Sequence, residues 1–269
     1  MRLSPSALLK QLETKAKKRF GQHFLVSQGI IRKIIDAAAI TSTDKVLEIG
    51  PGLGALTEHL IPLAQTFTAV ELDRDVHGFI QQRWPMLDLI QGDAANLNWE
   101  ECLLGNEWKC VSNLPYNVGT KIVTDLLSLY PKFSSLIVML QKEVAEKMLA
   151  KVGDRNRGSL SVFVQMFASA KLIVRAPGGA FYPPPKVDSA VLLLQSNPSP
   201  LIPRSEIPVF EQFLRALFCQ PRKTIRNTLR TKYNKEAVDL FFSGGLVKAS
   251  RRPATLTMVE IVQIYRALE

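Results

Sequence analysis

From Ser27 onward, Ile30, Ile31, Ile34, Ile35 and Ala38 recur at helical spacing, with Ser27 in the position of an N-cap. Short apolar runs then take over. Val46, Leu47 and Ile49, interrupted by Glu48 alone, predict a strand buried on both faces of a parallel sheet. Runs over 67–70, 87–90, 108–112 and 136–140 predict further strands, and 172–174 and 187–194 predict the closing ones. Ala55, Leu56 and Leu60 are expected to begin one helix, and further helices to occupy 122–129 and 143–151. Strands alternating with helices imply an α/β fold with a Rossmann-like parallel sheet. A proline- and serine-rich stretch over 196–203 reads as a linker. Beyond it the pattern is wholly helical: Val209, Phe210, Phe213, Leu214 and Leu217 share a face, Gly244 and Gly245 cap a helix, and 258–268 forms the last one. The expected division is a domain over 1–195 with a basic N-terminal segment 1–26, a linker 196–203 and a small all-helical domain 204–269.

Composition narrows the class. A hydrophobic content of 46% suffices for a core in a chain of 269 residues, and no apolar stretch reaches the roughly 18 residues of a membrane span. No signal-peptide pattern stands near Met1, so a cytoplasmic location is expected. Cys102, Cys110 and Cys219 form no C-x-x-C pair, which argues for reduced packing residues and against a disulfide framework or a zinc site. The formal charge of +10 makes the surface attractive to polyanions. Charge alone admits RNA, DNA or an anionic membrane surface. Residues through Thr14 read as a loosely held leader, and Lys15, Lys17, Lys18 and Arg19 as either a solvated tail or an anion contact.

The chemistry concentrates at strand ends. The strand at 46–49 runs into Gly50, Gly52 and Gly54, a loop that lets a ligand approach bare backbone before a helix begins. The G-x-G-x-G spacing differs from the G-x-G-x-x-G of dinucleotide sites, and Glu48 just before it would repel a pyrophosphate while suiting a cationic or amine-bearing ligand. Glu71 ends the next strand, about 20 residues past the first glycine, where an acid accepts both hydroxyls of a ribose. Asp93, at the end of the third strand, is placed to meet an adenine amino group. Each acid taken singly also fits an ordinary turn; the ordered set describes a nucleoside site. The fourth strand delivers Asn113, Leu114, Pro115 and Tyr116 to the same edge. Asn113 offers an amide oxygen, Pro115 holds Leu114 extended, and Tyr116 offers an aromatic face to a base. Phe20 to Leu25, with His23 among them, reads as a segment folding over the ligand. Farther on, Arg155 and Arg157 stand in a polar loop, and Arg222, Lys223 and Arg226 interleave with apolar anchors; both stretches fit surface turns or phosphate contacts.

Four stretches together, KRFGQHFL from Lys18, EIGPGLG from Glu48, NLPYN from Asn113 and FYPPPKVDS from Phe181, closely resemble the small-subunit ribosomal RNA adenine dimethylases of the KsgA/RsmA type, and the likeness runs through essentially the whole chain. The resemblance implies an S-adenosyl-L-methionine (SAM) cofactor and N6,N6-dimethylation of two adjacent adenosines in the 3′-terminal hairpin of 16S ribosomal RNA, on the small ribosomal subunit. It implies cofactor contacts at His23, Leu25, Gly50, Glu71, Asp93 and Asn113, and a target base held by Asn113, Leu114, Pro115, Tyr116 and Phe181. RNA contacts are expected at Arg155, Arg157, Arg222, Lys223 and Arg226, no metal is expected, and a monomer is the default. Three alternatives stand beside this reading: a resistance-type methylase of large-subunit RNA, a non-catalytic assembly factor on a methylase scaffold, and a nicotinamide oxidoreductase, the last disfavoured by glycine spacing and Glu48.

Overall fold

The structure, a computed structural model, describes residues 4–11, 15–17 and 20–269; Lys18, Arg19 and Thr14 lie outside the described residues. The chain forms two compact units, residues 1–145 with 170–196 and residues 146–169 with 197–269.

The first unit opens with helix α1 (Pro5–Gln11), strand β1 (Phe24–Leu25) and helix α2 (Gln28–Ala38), then runs through β2 (Lys45–Ile49), α3 (Thr57–Leu60), β3 (Thr66–Glu71), α4 (Arg74–Arg83), β4 (Asp88–Gln91), α5 (Trp99–Cys102), β5 (Trp108–Asn113), α6 (Gly119–Ser128) and β6 (Phe133–Gln141). The chain leaves the first unit through α7 (Lys142–Leu149) and α8 (Ser159–Phe167) and returns to it with β7 (Ala168–Ala176), β8 (Phe181–Tyr182) and β9 (Ser189–Ser196). Seven strands form one sheet in the order β4-β3-β2-β5-β6-β9-β7. The pairs from β4 to β6 are parallel, and β9 lies antiparallel against β6. Strand β2 sits mid-sheet with Val46, Leu47, Glu48 and Ile49 all buried, as expected of a strand covered on both faces. Helix α2 turns Ile30, Ile31, Ile34 and Ala38 into a core with Val111, Ile137, Met139 and Val191. Ser27 holds its N-cap position without a capping hydrogen bond from its side chain. The strand at 172–174 is longer than its apolar run, because β7 continues through exposed polar positions at the sheet edge.

Of the leader, residues 4–11 are described, and one of them is held more firmly than the composition suggests. Leu9 is buried against Phe24 and Leu53, a contact between distant residues that no local pattern announces.

The second unit adds α9 (Ile207–Phe218), α10 (Ile225–Leu229), α11 (Lys235–Ser243) and α12 (Met258–Leu268). Its centre is aromatic: the Tyr265 ring meets Phe210 edge-on at 5.2 Å between centroids and Phe213 at 5.4 Å. Val209, expected on that face, is exposed, because the buried stripe of α9 is centred on Phe210, Leu214 and Leu217 and leaves Val209 on its shoulder. Thr257 and Glu260 cap α12 reciprocally. Residues 146–169, expected within the first domain, pack with these helices instead. Gly153 N–H donates to Ala254 O at 2.9 Å, and Asn197 N–H to Phe167 O at 2.8 Å, so the segment is stitched to the C-terminal helices by backbone.

Candidate functional site

Strand order reverses between β2 and β5, since β3 and β4 extend the sheet one way and β6 the other. At such a switch point the loops leaving the two strands part and open a crevice at the carboxyl edge. Here a cavity of about 540 Å³ lies in that crevice, within the size range of small-molecule sites. Its walls include Phe20 to Val26, Glu48 to Leu53, Glu71, Asp93 and Asn113 to Val118. His23, Leu25, Gly50, Glu71, Asp93, Asn113, Leu114, Pro115 and Tyr116, distant in sequence, are thereby brought together.

The glycine loop divides its tasks. A side chain on Gly52 would stand 3.0 Å from the Phe24 ring, which closes over the loop, whereas one on Gly54 would come within 2.3 Å of Trp84. Both residues have positive φ. Gly54 therefore serves packing of α4, and Gly50 and Gly52 face the cavity.

Three acids gather at the strand ends. Glu48 is 1% exposed and accepts from the Thr57 hydroxyl at 2.6 Å. Burial raises its pKa to about 8, against the Thr57 bond and with help from the Glu71 charge. Glu71 accepts from Asp73 N–H at 2.8 Å, and burial pushes it up to about 7. One Glu71 oxygen is thus fixed by backbone while the carboxyl lines the cavity, the arrangement a ribose diol requires. Asp93 accepts from Ala95 N–H at 3.0 Å and from the Asn96 amide at 2.7 Å, bonds that hold it in its turn.

Asn113 carries the decisive geometry. Its Nδ2 donates to His23 O at 3.1 Å, which assigns the amide orientation and leaves Oδ1 as an acceptor. The His23 ring stacks on Tyr116 with centroids 5.5 Å apart, and its Nδ1 lies 2.7 Å from Pro183 O. Tyr116 is anchored through its hydroxyl to Ser189, and Ser112 donates to Ile49 O, tying β5 to the end of β2.

The segment over the cavity is clasped by Lys17 and Gln22, whose acidic partners, Asp73 and Asp75, sequence reasoning passed over. Lys17 Nζ bonds Asp73 and Asp75, each at 2.6 Å, and Gln22 donates to Asp73 at 2.7 Å. Although burial opposes its charge, hydrogen bonds to Asp73 and Asp75 hold the Lys17 pKa above the usual value. Asp73 also caps α4 through Asp75 N–H. An N-cap acid two residues after a strand end was a readable signal; its distant partners were not. Thr57 and Ser189 had no signal beyond position.

Two expected contacts are not assembled here. Phe181 is 3% exposed and packs in the core with Leu25, Ile30 and Val191; it is not itself among the residues that line the cavity, because strand alternation turns it inward behind Leu25. Arg157 is 3% exposed, and its guanidinium donates to Ala254 O at 3.1 Å and to Leu256 O. It is a cross-link within the helical unit rather than a surface cation. Arg155, Arg222, Lys223 and Arg226 are exposed, although Arg226 pairs with Asp239 at 2.9 Å. Among the described residues no cluster suits a metal ion.

Residues 13–268 match the family model described as ribosomal RNA adenine dimethylase. A relative from Syntrophotalea carbinolica, named ribosomal RNA small subunit methyltransferase A, is 38% identical over 257 residues, covering 94% of this chain and 97% of that protein. Among solved structures, a dimethyladenosine transferase from Plasmodium falciparum aligns with a TM-score of 0.77 and 29% identity, covering 90% of this chain and 96% of that one. The 23S rRNA methyltransferase ErmE aligns with a TM-score of 0.68 and 23% identity, over 91% of this chain and 99% of that one, a likeness of fold.

Proposed function

Because the chain belongs to the ribosomal RNA adenine dimethylase family, we propose that it converts adenosines of small-subunit ribosomal RNA to N6,N6-dimethyladenosine, using SAM. The observation that carries this reading is the Asn113 amide, tied by Nδ2 to His23 O so that Oδ1 remains an acceptor at the strand end beside the glycine loop.

The residues present fit the cofactor. Gly50 and Gly52 offer bare backbone, Glu71 a fixed carboxyl for the ribose, and Asp93 an acceptor for the adenine amine. When bound, SAM supplies an electrophilic methyl group on a sulfonium.

The chain's own residues prepare the nucleophile. An adenine N6 lone pair is delocalised into the ring, so the amine is flat and unreactive. Two acceptors, Asn113 Oδ1 and the Leu114 carbonyl, accept hydrogen bonds from its two N–H groups and favour a pyramidal nitrogen with a localised lone pair. Tyr116 gives the base a surface to rest on, and positioning does most of the work. The nitrogen, cationic after methylation, gives its proton readily to water, so the site has no need of a strong base. A second methylation of the same nitrogen keeps one of the two hydrogen bonds.

The 38% identical relative supports a small-subunit target, while the 23% identical large-subunit methylase supports the fold alone. The substrate we infer is the pair of adjacent adenosines in the 3′-terminal hairpin, with exposed Arg155, Arg222, Lys223 and Arg226 contacting backbone phosphates. The same reading has a monomeric cytoplasmic enzyme; among the described residues no helix is long and apolar enough to cross a membrane.

The test is transfer of radiolabelled methyl from SAM to small ribosomal subunits lacking the modification, with the nucleoside identified by mass spectrometry. Recovery of N6,N6-dimethyladenosine from the terminal hairpin is expected. Label confined to large-subunit RNA overturns the target, and no transfer overturns the enzyme.

A further inference from the structure

We propose that Tyr182, which no expectation singled out, is a stacking platform for the nucleobase that flanks the target adenine, an RNA subsite on the rim of the cavity; this rests on the RNA reading above. The argument begins with the two-stranded ribbon. Strands β1 and β8 pair antiparallel with Phe24 opposite Tyr182 and Leu25 opposite Phe181. Directly opposed residues share a face and neighbours along a strand alternate. Leu25 and Phe181 therefore turn into the core, where both are buried. Phe24 and Tyr182 take the other face; Phe24 lines the cavity, as Leu25 does, and lies against Gly52, so Tyr182 stands beside the cavity wall without lining it. On that face the inner ring, Phe24, is 7% exposed and the outer one, Tyr182, is 41% exposed.

The platform is held from several sides. His23 Nδ1 and Pro183 O are 2.7 Å apart, Tyr116 OH bonds Ser189, and Lys142 N–H donates to Asp188 O at 2.9 Å. Pro183, Pro184 and Pro185 fix their own φ angles, and Pro185 O would come within 3.0 Å of a side chain on Gly178. The loop that follows Tyr182 is thus fastened to the same two rings, His23 and Tyr116, that wall the cavity. The backbone that carries the Tyr182 ring is thus already ordered before a base settles on it. The loop also carries exposed Lys186, a cation for the phosphate of the stacked nucleotide. A base reaching Asn113 must leave its own stack, and its neighbour then needs a new partner; Tyr182 provides one.

The experiment measures the affinity of the full chain for a fluorescein-labelled RNA hairpin with adjacent adenosines in its loop, and for the same hairpin with an abasic residue beside the target adenosine. Tyr182→Ala is expected to weaken binding of the intact hairpin about tenfold and to leave binding of the abasic hairpin unchanged. Tyr182→Phe and Tyr182→Trp are expected to retain wild-type affinity. Calorimetry with SAM, expected to be unaltered in Tyr182→Ala, reports an intact cavity. An equal loss on both hairpins, no loss on either, or a wild-type chain that binds neither overturns the proposal. Binding is read without turnover, so an RNA-binding but inactive wild type counts against the methylation reading and not against this subsite.

Discussion

At the scale of single residues, the site works by fixing atoms that would otherwise rotate. Asn113 is useful because one end of its amide is occupied by His23 O and the other is not. Asn113→Ala is expected to abolish methyl transfer while SAM affinity, measured by calorimetry, falls only moderately; near-full turnover in that variant removes the role given to Asn113. Glu71→Ala is expected to weaken SAM by roughly tenfold or more, because a ribose then loses the carboxyl oxygens that accept its hydroxyls in a buried site. Glu48 and Glu71 also make a prediction in pH. Both have pKa values raised by burial, to about 8 and about 7, so the folded state holds protons that the unfolded chain releases near 4.5. Stability of the ligand-free protein must then fall as pH rises from about 4.5 to about 8, and level off above that. Glu48→Gln keeps an acceptor for Thr57 without a charge to bury. Thermal melts from pH 6 to pH 9 should show a shallower decline in that variant than in the wild type, and parallel curves would count against the raised Glu48 value.

Elements contribute by being tied to one another at few points. The N-terminal segment lies over the cavity because Lys17 and Gln22 converge on Asp73, itself 2% exposed and the N-cap of α4. Asp73→Ala removes the cap and both ties together. A loss of about 1–2 kcal/mol in denaturant unfolding is expected from the cap, with faster limited proteolysis of residues 15–24. A variant as protease-resistant as the wild type would mean that the segment is held by Leu9 and Phe24 alone. In the helical unit, Arg157 plays a comparable part. Arg157→Ala leaves the carbonyls of Ala254 and Leu256 without their guanidinium donor, at an expected cost of about 1–3 kcal/mol. It should leave the salt dependence of RNA binding unchanged.

For the whole molecule, the positive charge is the property that a polyanionic substrate senses first. The formal charge of +10 falls mostly on the second unit, and part of the cationic complement is engaged: Lys17, Lys109, Lys132, Arg226 and Arg251 all pair with acids. Exposed Arg222 and Lys223 are better placed to replace counterions on RNA. The double variant Arg222→Ala/Lys223→Ala is expected to weaken RNA binding of any sequence and to reduce the slope of log affinity against log salt by about two. An unaltered slope would move the phosphate contacts elsewhere on the surface.

Sequence by itself determined what depends on neighbours along the chain. The apolar run at 46–49, the glycines after it and the acid ending each following strand specified a parallel sheet with a cavity at its carboxyl edge, since strand burial and turn geometry are short-range properties. Asn113 to Tyr116 was readable for the same reason, as a proline-stiffened strand end. Tertiary structure decided everything that turns on which face of an element meets which other element. Phe181 and Tyr182 look equally suited to stacking a base, and only the pairing with β1 sends one into the core and leaves the other outside. Arg155 and Arg157 read alike in one polar loop, yet one is exposed and the other is buried against carbonyls about a hundred residues away. Lys17 and Asp73 meet across 56 positions, Leu9 and Leu53 across 44, and residues 146–169 join helices that the chain builds only after returning through β9. Such contacts are set by how sheet and helices stack, and burial, which selects between two chemically similar side chains, exists only once they have done so.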